Sequence, residues 1–199
     1  MTQEPDAVRR GRRYLLWIAA IFAAPVLLAI LLNSSLLGYH PAAEENRGRL
    51  LQPPLHMESG RSVVTSAGLI NLDQEPTQWW LLAIEEADCA TACQQRLQEL
   101  DHLRRAMGRR SGQVPAVVVT RGMIRGLAPE LAQRLYFASM EDNPSLAKVL
   151  RRALLTDHLP VGQRFIVNLG WVMMTYPPDQ PNTDVLEDLK LLTRTRPGR

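Results

Sequence analysis

The sequence has no Gly-rich phosphate loop, no nucleophile elbow and no metalloprotease helix, so nucleotide, serine-hydrolase and zinc-peptidase chemistries lack their usual carriers. It has no internal repeat and no low-complexity tract. Its 199 residues therefore suit one domain of ordinary size plus an appendage. Charge is absent from Tyr14 to Ala43, and cysteine is confined to Cys89 and Cys93.

The uncharged stretch opens with "YLLWIAAIFAAPVLLAILL" over residues 14–32, close to the roughly 20 apolar residues that a helix needs to cross hydrocarbon. A transmembrane anchor is predicted over 14–37. Pro25 is tolerable inside it, because a bilayer helix can kink and re-satisfy the freed carbonyl through neighbours. Arg9, Arg10, Arg12 and Arg13 precede the span, and no cation follows until Arg47, which puts the N-terminus in the cytoplasm. The rival is a cleaved signal peptide, but "HPAAEE" is a poor cleavage site. Either way the remainder is exported, and a bacterial inner membrane with a periplasmic C-terminal domain is expected.

The net charge of +3 invites a nucleic-acid partner. However, the four arginines ahead of the anchor face only Glu4 and Asp6, and the exported part is nearly neutral. It has no electrostatic footprint for phosphodiester binding, and no nucleic-acid partner is expected.

Hydrophobic periodicity orders the rest. Residues 38–60, with Gly48, Pro53, Pro54 and Gly60, read as a linker. "SVVTSAGLINL" (62–72) fits a hairpin, and "QWWLLAI" (78–84) fits a strand buried on both faces. Cys93, Leu97, Leu100, Leu103 and Met107 line one helix face up to Gly108, and "QVPAVVVT" (113–120) is a second buried strand. Helices are predicted over 129–139 and 145–155, the second capped by Ser145. "RFIVNLG" and "WVMMTYPP" form a hairpin about Asn168-Leu169-Gly170, and a helix over 182–194 closes the domain. The order β-α-β, helical insert, β-β, α is that of an α/β thioredoxin-like fold, assigned to 61–195 between a basic segment at 1–13, the anchor, the linker and a tail at 196–199.

In that order Cys89 falls in the loop after the first buried strand and Cys93 in the first turn of the next helix. Backbone N–H groups there have no intrahelical acceptor and lower a thiol's pKa. Glu85, Glu86 and Asp88 act in the opposite sense. The pair has four possible states: a copper(I) site of soft thiolates, a thiol–disulfide exchanger, a structural disulfide, or two free buried thiols. As a staple, so short a loop gains little of the about 2–4 kcal/mol typical of disulfides.

The exported domain behind one anchor, the strand running into Cys-x3-Cys and the late "RFIVNLGWVMMTYPP" hairpin resemble the Sco/SenC family of membrane-anchored, thioredoxin-like proteins that assist the copper centre of haem–copper oxidases. The resemblance covers roughly 60–194. It implies a respiratory oxidase subunit or another assembly protein as partner, and copper held by Cys89, Cys93 and a histidine. Gln94 stands where the family has proline, and Pro160 where it has the copper-binding histidine. His158, two residues away, is then the candidate third ligand. The alternative is a non-catalytic interaction module with the same fold. His40, His56 and His102 read as surface histidines, Met173, Met174, Trp79 and Trp80 as packing residues.

Overall fold

The computed structural model describes residues 14, 15, 17–25, 27, 46–57 and 61–194. The chain divides into two compact units, Met1–Glu44 and Glu45–Arg199. In the first, the described residues are helical, with Trp17, Ile21 and Phe22 exposed. Among the described residues no helix is long and apolar enough to cross a membrane. The rest of the expected anchor over 14–37, together with 1–13, His40 and 196–199, lies outside them.

The second unit is built on a six-stranded sheet in the order β1 (Arg49–His56), β8 (Trp171–Tyr176), β7 (Arg164–Asn168), β4 (Trp80–Glu85), β5 (Ala116–Thr120) and β6 (Tyr136–Ser139). Its centre is β4 (Trp80–Glu85), β5 (Ala116–Thr120) and β7 (Arg164–Asn168), joined by the parallel pair β4–β5 and the antiparallel pair β4–β7. Every residue of β4 and β5 is buried. Such strands need both faces covered, which is why they read as unbroken apolar runs. Helix α1 (Thr91–Ala106) and helix α4 (Asn182–Arg194) cover one face, where Leu97, Leu100 and Leu189 pack on Leu81, Ala83 and Ile166. Helix α3 (Pro144–Leu154) covers the other with the β2–β3 hairpin (Ser62–Thr65, Gly68–Asn71), Leu146, Leu150 and Val63 meeting Leu82, Ile84 and Phe165. This is the expected thioredoxin-like arrangement.

Three expectations are corrected. The linker contains strand β1 (Arg49–His56), antiparallel to β8 (Trp171–Tyr176) with a register shift between Leu50 and Leu55. Pro53 and Pro54 hid it, since proline cannot serve a central ladder, but an edge strand tolerates it at an irregularity. Residues 129–139 split into a single helical turn, α2 (Pro129–Ala132), and strand β6 (Tyr136–Ser139), parallel to β5. Apolar residues at 131, 135 and 137 suit either period. Helix α3 begins at Pro144 without a side-chain cap. Asn143, just before it, instead grips the hairpin: its Oδ1 accepts from Val64 N (2.8 Å), and its Nδ2 donates to Val64 O (2.9 Å) and Ser139 O (2.8 Å).

The β7–β8 turn is as expected. Leu169 (φ 48°) and Gly170 (φ 74°) both take positive φ, the pair of conformations that a two-residue hairpin with the native strand twist requires. Arg164 pins the chain between β8 and α4, donating to Asn182 Oδ1, Pro177 O (3.1 Å) and Gln180 O (2.5 Å). Burial pushes this guanidinium below its ordinary range.

Candidate functional site

Strand β4 ends at Glu85, and four residues later Cys89 meets Cys93 in the first turn of α1. The two form a disulfide, with Sγ–Sγ 2.04 Å and Cα–Cα 5.1 Å. Neither is a free thiol. The helix has no side-chain cap at Ala90, so its first N–H groups lie beside the sulfurs unclaimed by a neighbouring side chain.

The pair lies where element order predicts it, after the first buried strand and in the first turn of the next helix, and both sulfurs are buried there: Cys89 is 4% and Cys93 1% exposed. Disulfide exchange through an accessible edge of the fold therefore requires local opening of this corner. Both cysteines belong to the α1 side of the core, because Cys93 occupies the same helix face as Leu97 and Leu100. Against this corner lies a loop, residues 121–128, between β5 and α2. Cys89 N donates to Arg125 O (3.0 Å), and Arg125 N donates to Ala87 O (2.8 Å). Gln94 Nε2 donates to Gly126 O (2.8 Å). Ile124, Leu127 and Ala128 pack against the core, while Met123 is exposed. Gln94 is the residue that replaces the Sco/SenC proline, and proline has no side-chain donor for this bond. Gly122 and Gly126 were the available signal for the loop.

Gly126 is at φ +71°, and a Cβ there would sit 3.2 Å from Cys89 O. Gly126→Ala combines that crowding with a left-handed backbone costing a non-glycine residue about 1–3 kcal/mol. We expect it to loosen the loop and to speed reduction of the disulfide by dithiothreitol, followed by thiol labelling. An unchanged rate would mean that the loop does not screen the sulfurs.

The acidic cluster is less uniform than its sequence. Glu85, with its side chain 3% exposed, accepts from Arg96 Nε (2.9 Å) and from the second amino nitrogen (2.8 Å). That hydrogen bond holds the Arg96 guanidinium above its ordinary range. Asp88 and Glu86 are exposed. The ion pair therefore ties the end of β4 to α1 and removes one negative charge from the sulfurs' surroundings.

His158 is exposed in the chain before β7, its Nδ1 3.2 Å from an Arg121 amino nitrogen. Among the described residues no group of three His, Cys, Asp or Glu side chains could hold a metal ion, so Cys89, Cys93 and His158 are not gathered into a ligand set. Oxidised sulfurs cannot act as thiolate ligands, and a guanidinium beside the imidazole opposes a second cation. The residues as arranged do not fit a three-coordinate copper(I) site. His102 is exposed and His56 packs on Trp171 with ring centroids 4.4 Å apart, in line with surface roles. Trp80 and Met174 are buried.

Solved structures place this fold among thioredoxin-like proteins. The apo Sco1 protein of Thermus thermophilus matches with a TM-score of 0.55 and 17% identity, covering 76% of this chain and 99% of its own. BsSco, a member of the Sco family of cytochrome c oxidase assembly proteins described with a disulfide switch, matches at 0.51 and 12%, covering 77% and 99%. A putative protein disulfide isomerase from Bacteroides thetaiotaomicron matches at 0.52 and 8%, covering 74% and 90%. At these identities the likeness is one of fold. No curated protein matches the sequence significantly. The model of the transmembrane-like, thioredoxin-like C-terminal domain matches residues 79–195, from the strand before the cysteines through the terminal helix, and the chain belongs to that family.

Proposed function

We propose that the chain is a membrane-anchored assembly factor for a respiratory haem–copper oxidase, its domain on the periplasmic side of a bacterial inner membrane, acting by thiol–disulfide exchange through Cys89 and Cys93. The observation that carries this reading is the bond between the two sulfurs at the junction of β4 and α1. A partner thiolate attacks one sulfur, the Cys89–Cys93 bond breaks, and a mixed disulfide forms. A second partner thiol then displaces the chain, which leaves as the dithiol while the partner gains the disulfide; the reverse sequence reduces a partner. The oxidase target is carried over from the Sco/SenC resemblance, and the Sco proteins with the same fold support it. The arginine asymmetry about the apolar run supports the location.

Delivery of copper(I) is the other use of the same sulfurs, open only to the reduced pair and only after His158 or another ligand moves. A structural disulfide in an interaction module is a second reading, favoured by the burial of both cysteines.

One experiment separates them. The full-length chain in neutral detergent is equilibrated with glutathione redox buffers, then reduced and titrated with copper(I), alongside Cys89→Ser and Cys93→Ser. Exchange in the wild type with complete loss in both variants is expected. Tight stoichiometric copper(I) binding lost in both variants would move the assignment to delivery. A disulfide that stays closed in excess reductant under native conditions would leave the structural reading.

A further inference from the structure

Away from the cysteines, a cavity of about 660 Å³ opens between the C-terminal half of α1, the turn at 108–113 and the chain around α2. Its charged walls are Arg104, Arg105, Arg134 and a single carboxylate, Asp101. Asp101 is 3% exposed. Its Oδ2 lies 3.1 Å from Arg105 Nε and 3.1 Å from an Arg134 amino nitrogen, and its Oδ1 is 4.0 Å from Arg104. Arg104 is tied down further, donating to Val114 O (3.1 Å) and Arg134 O (2.5 Å).

Three guanidinium groups around one carboxylate leave a surplus of two positive charges in a half-open cavity. Neutralising the negative end of α1 accounts for Arg104 and Arg105, which lie in its last turn. It does not account for Arg134, which arrives from beyond α2. Among the described residues the two terminal amino nitrogens of Arg105 and the second of Arg134 have no protein acceptor, and these side chains are 56% and 51% exposed. Asp101 thus holds Arg105 and Arg134 by one nitrogen each and leaves their remaining amino nitrogens as available donors. Arg109 and Arg110 precede Ser111 on the adjoining turn and strengthen the positive field.

We infer that this cavity binds a phosphate group. A phosphomonoester carries about −1.5 to −2 charges at neutral pH and offers three acceptor oxygens. That matches the surplus of two charges and the unclaimed donors of Arg105 and Arg134, whereas a carboxylate supplies one charge and two coplanar oxygens. Arginine forks recognise phosphate with paired N–H donors. The phosphate can belong to a soluble compound or to a lipid headgroup, and the test distinguishes them.

The full-length chain in neutral detergent is titrated calorimetrically at about 0.15 M ionic strength, where exposed charges are screened beyond roughly 8 Å. One arm adds inorganic pyrophosphate; the other adds dihexanoyl phosphatidic acid to the micelles. Saturable binding in either arm is expected, weakened about tenfold or more by Arg134→Gln and by Arg105→Gln. Both side chains are half-exposed, so the thermal midpoint should hold. Arg151→Gln, the same charge change on the exposed face of α3, should leave binding unaltered. Saturation by pyrophosphate assigns a soluble ligand, and saturation by the lipid alone assigns a headgroup. No binding in either arm, or equal weakening by Arg151→Gln, overturns the inference.

Discussion

Asp188→Ala is expected to lower the unfolding free energy by about 3–5 kcal/mol, a large part of the stability of a domain this size. Asp188 is 1% exposed on α4. Its carboxylate accepts from the Tyr176 hydroxyl (2.8 Å), Arg47 N (2.9 Å) and Gly48 N (2.8 Å). One side chain therefore fastens the start of β1 and the end of β8 to the terminal helix, and its removal strands three donors at once. Gly48 makes the approach possible, since a Cβ there would sit 2.4 Å from the Tyr176 ring. Urea unfolding followed by tryptophan fluorescence measures the loss, and a change under about 1 kcal/mol would show that water replaces the carboxylate.

The same cluster sets an alkaline limit. Burial pushes the Tyr176 phenol up, and the hydrogen bond to Asp188 and that group's charge push it further. In the unfolded chain the phenol ionises near about pH 10. Its contribution is complete below that pH and is lost as pH rises above it, because only the unfolded state releases the proton freely. Tyr176→Phe should cost roughly 1–2 kcal/mol at neutral pH and flatten the decline above pH 10 relative to the wild type. Parallel curves would refute the assignment.

Arg96→Ala has the second large effect, about 2–4 kcal/mol, between the values of exposed and buried pairs because Arg96 is 37% and Glu85 3% exposed. The loss comes from leaving Glu85 charged and unpartnered under α1 rather than from the pair's own attraction. Glu85→Gln combined with Arg96→Ala should recover much of it, since the stranded charge is then gone. Arg96→Ala alone should also slow formation of the disulfide from the dithiol, because the unpaired Glu85 carboxylate, four residues from Cys89, disfavours the attacking thiolate, and the double variant should restore the rate. Equal stability of the single and double variants would place the cost elsewhere.

The fold was legible where one period dominated. Residues 78–84 and 113–120 are apolar without interruption because both faces of the sheet are covered, and α1 shows its buried stripe in spacings of three and four. Strand β1 was missed because two prolines mask an edge strand, and β6 because four residues, "YFAS", are too short to override the helical spacing before them. The cysteine corner followed from element order. Its burial did not, since the loop 121–128 is brought over it mainly by backbone hydrogen bonds and one from Gln94, and its two glycines mark a loop without saying where it packs. Nor does spacing reveal Asp101 among its arginines: Arg104 and Arg105 lie one helical turn away, but Arg134 comes from another part of the chain.

Each margin of the sheet carries a feature that works against pairing with a further strand. Along β1, Pro53 and Pro54 remove two amides that an incoming strand would seek. Along β6, Phe137 is already engaged, its carbonyl accepting from Ser66 N (2.8 Å) and its amide donating to Ser66 Oγ (3.3 Å). A chain displayed at high local density can thereby crowd against its own copies without zipping into a continuous ribbon. Association with other molecules is left to side-chain surfaces, not to the ladder.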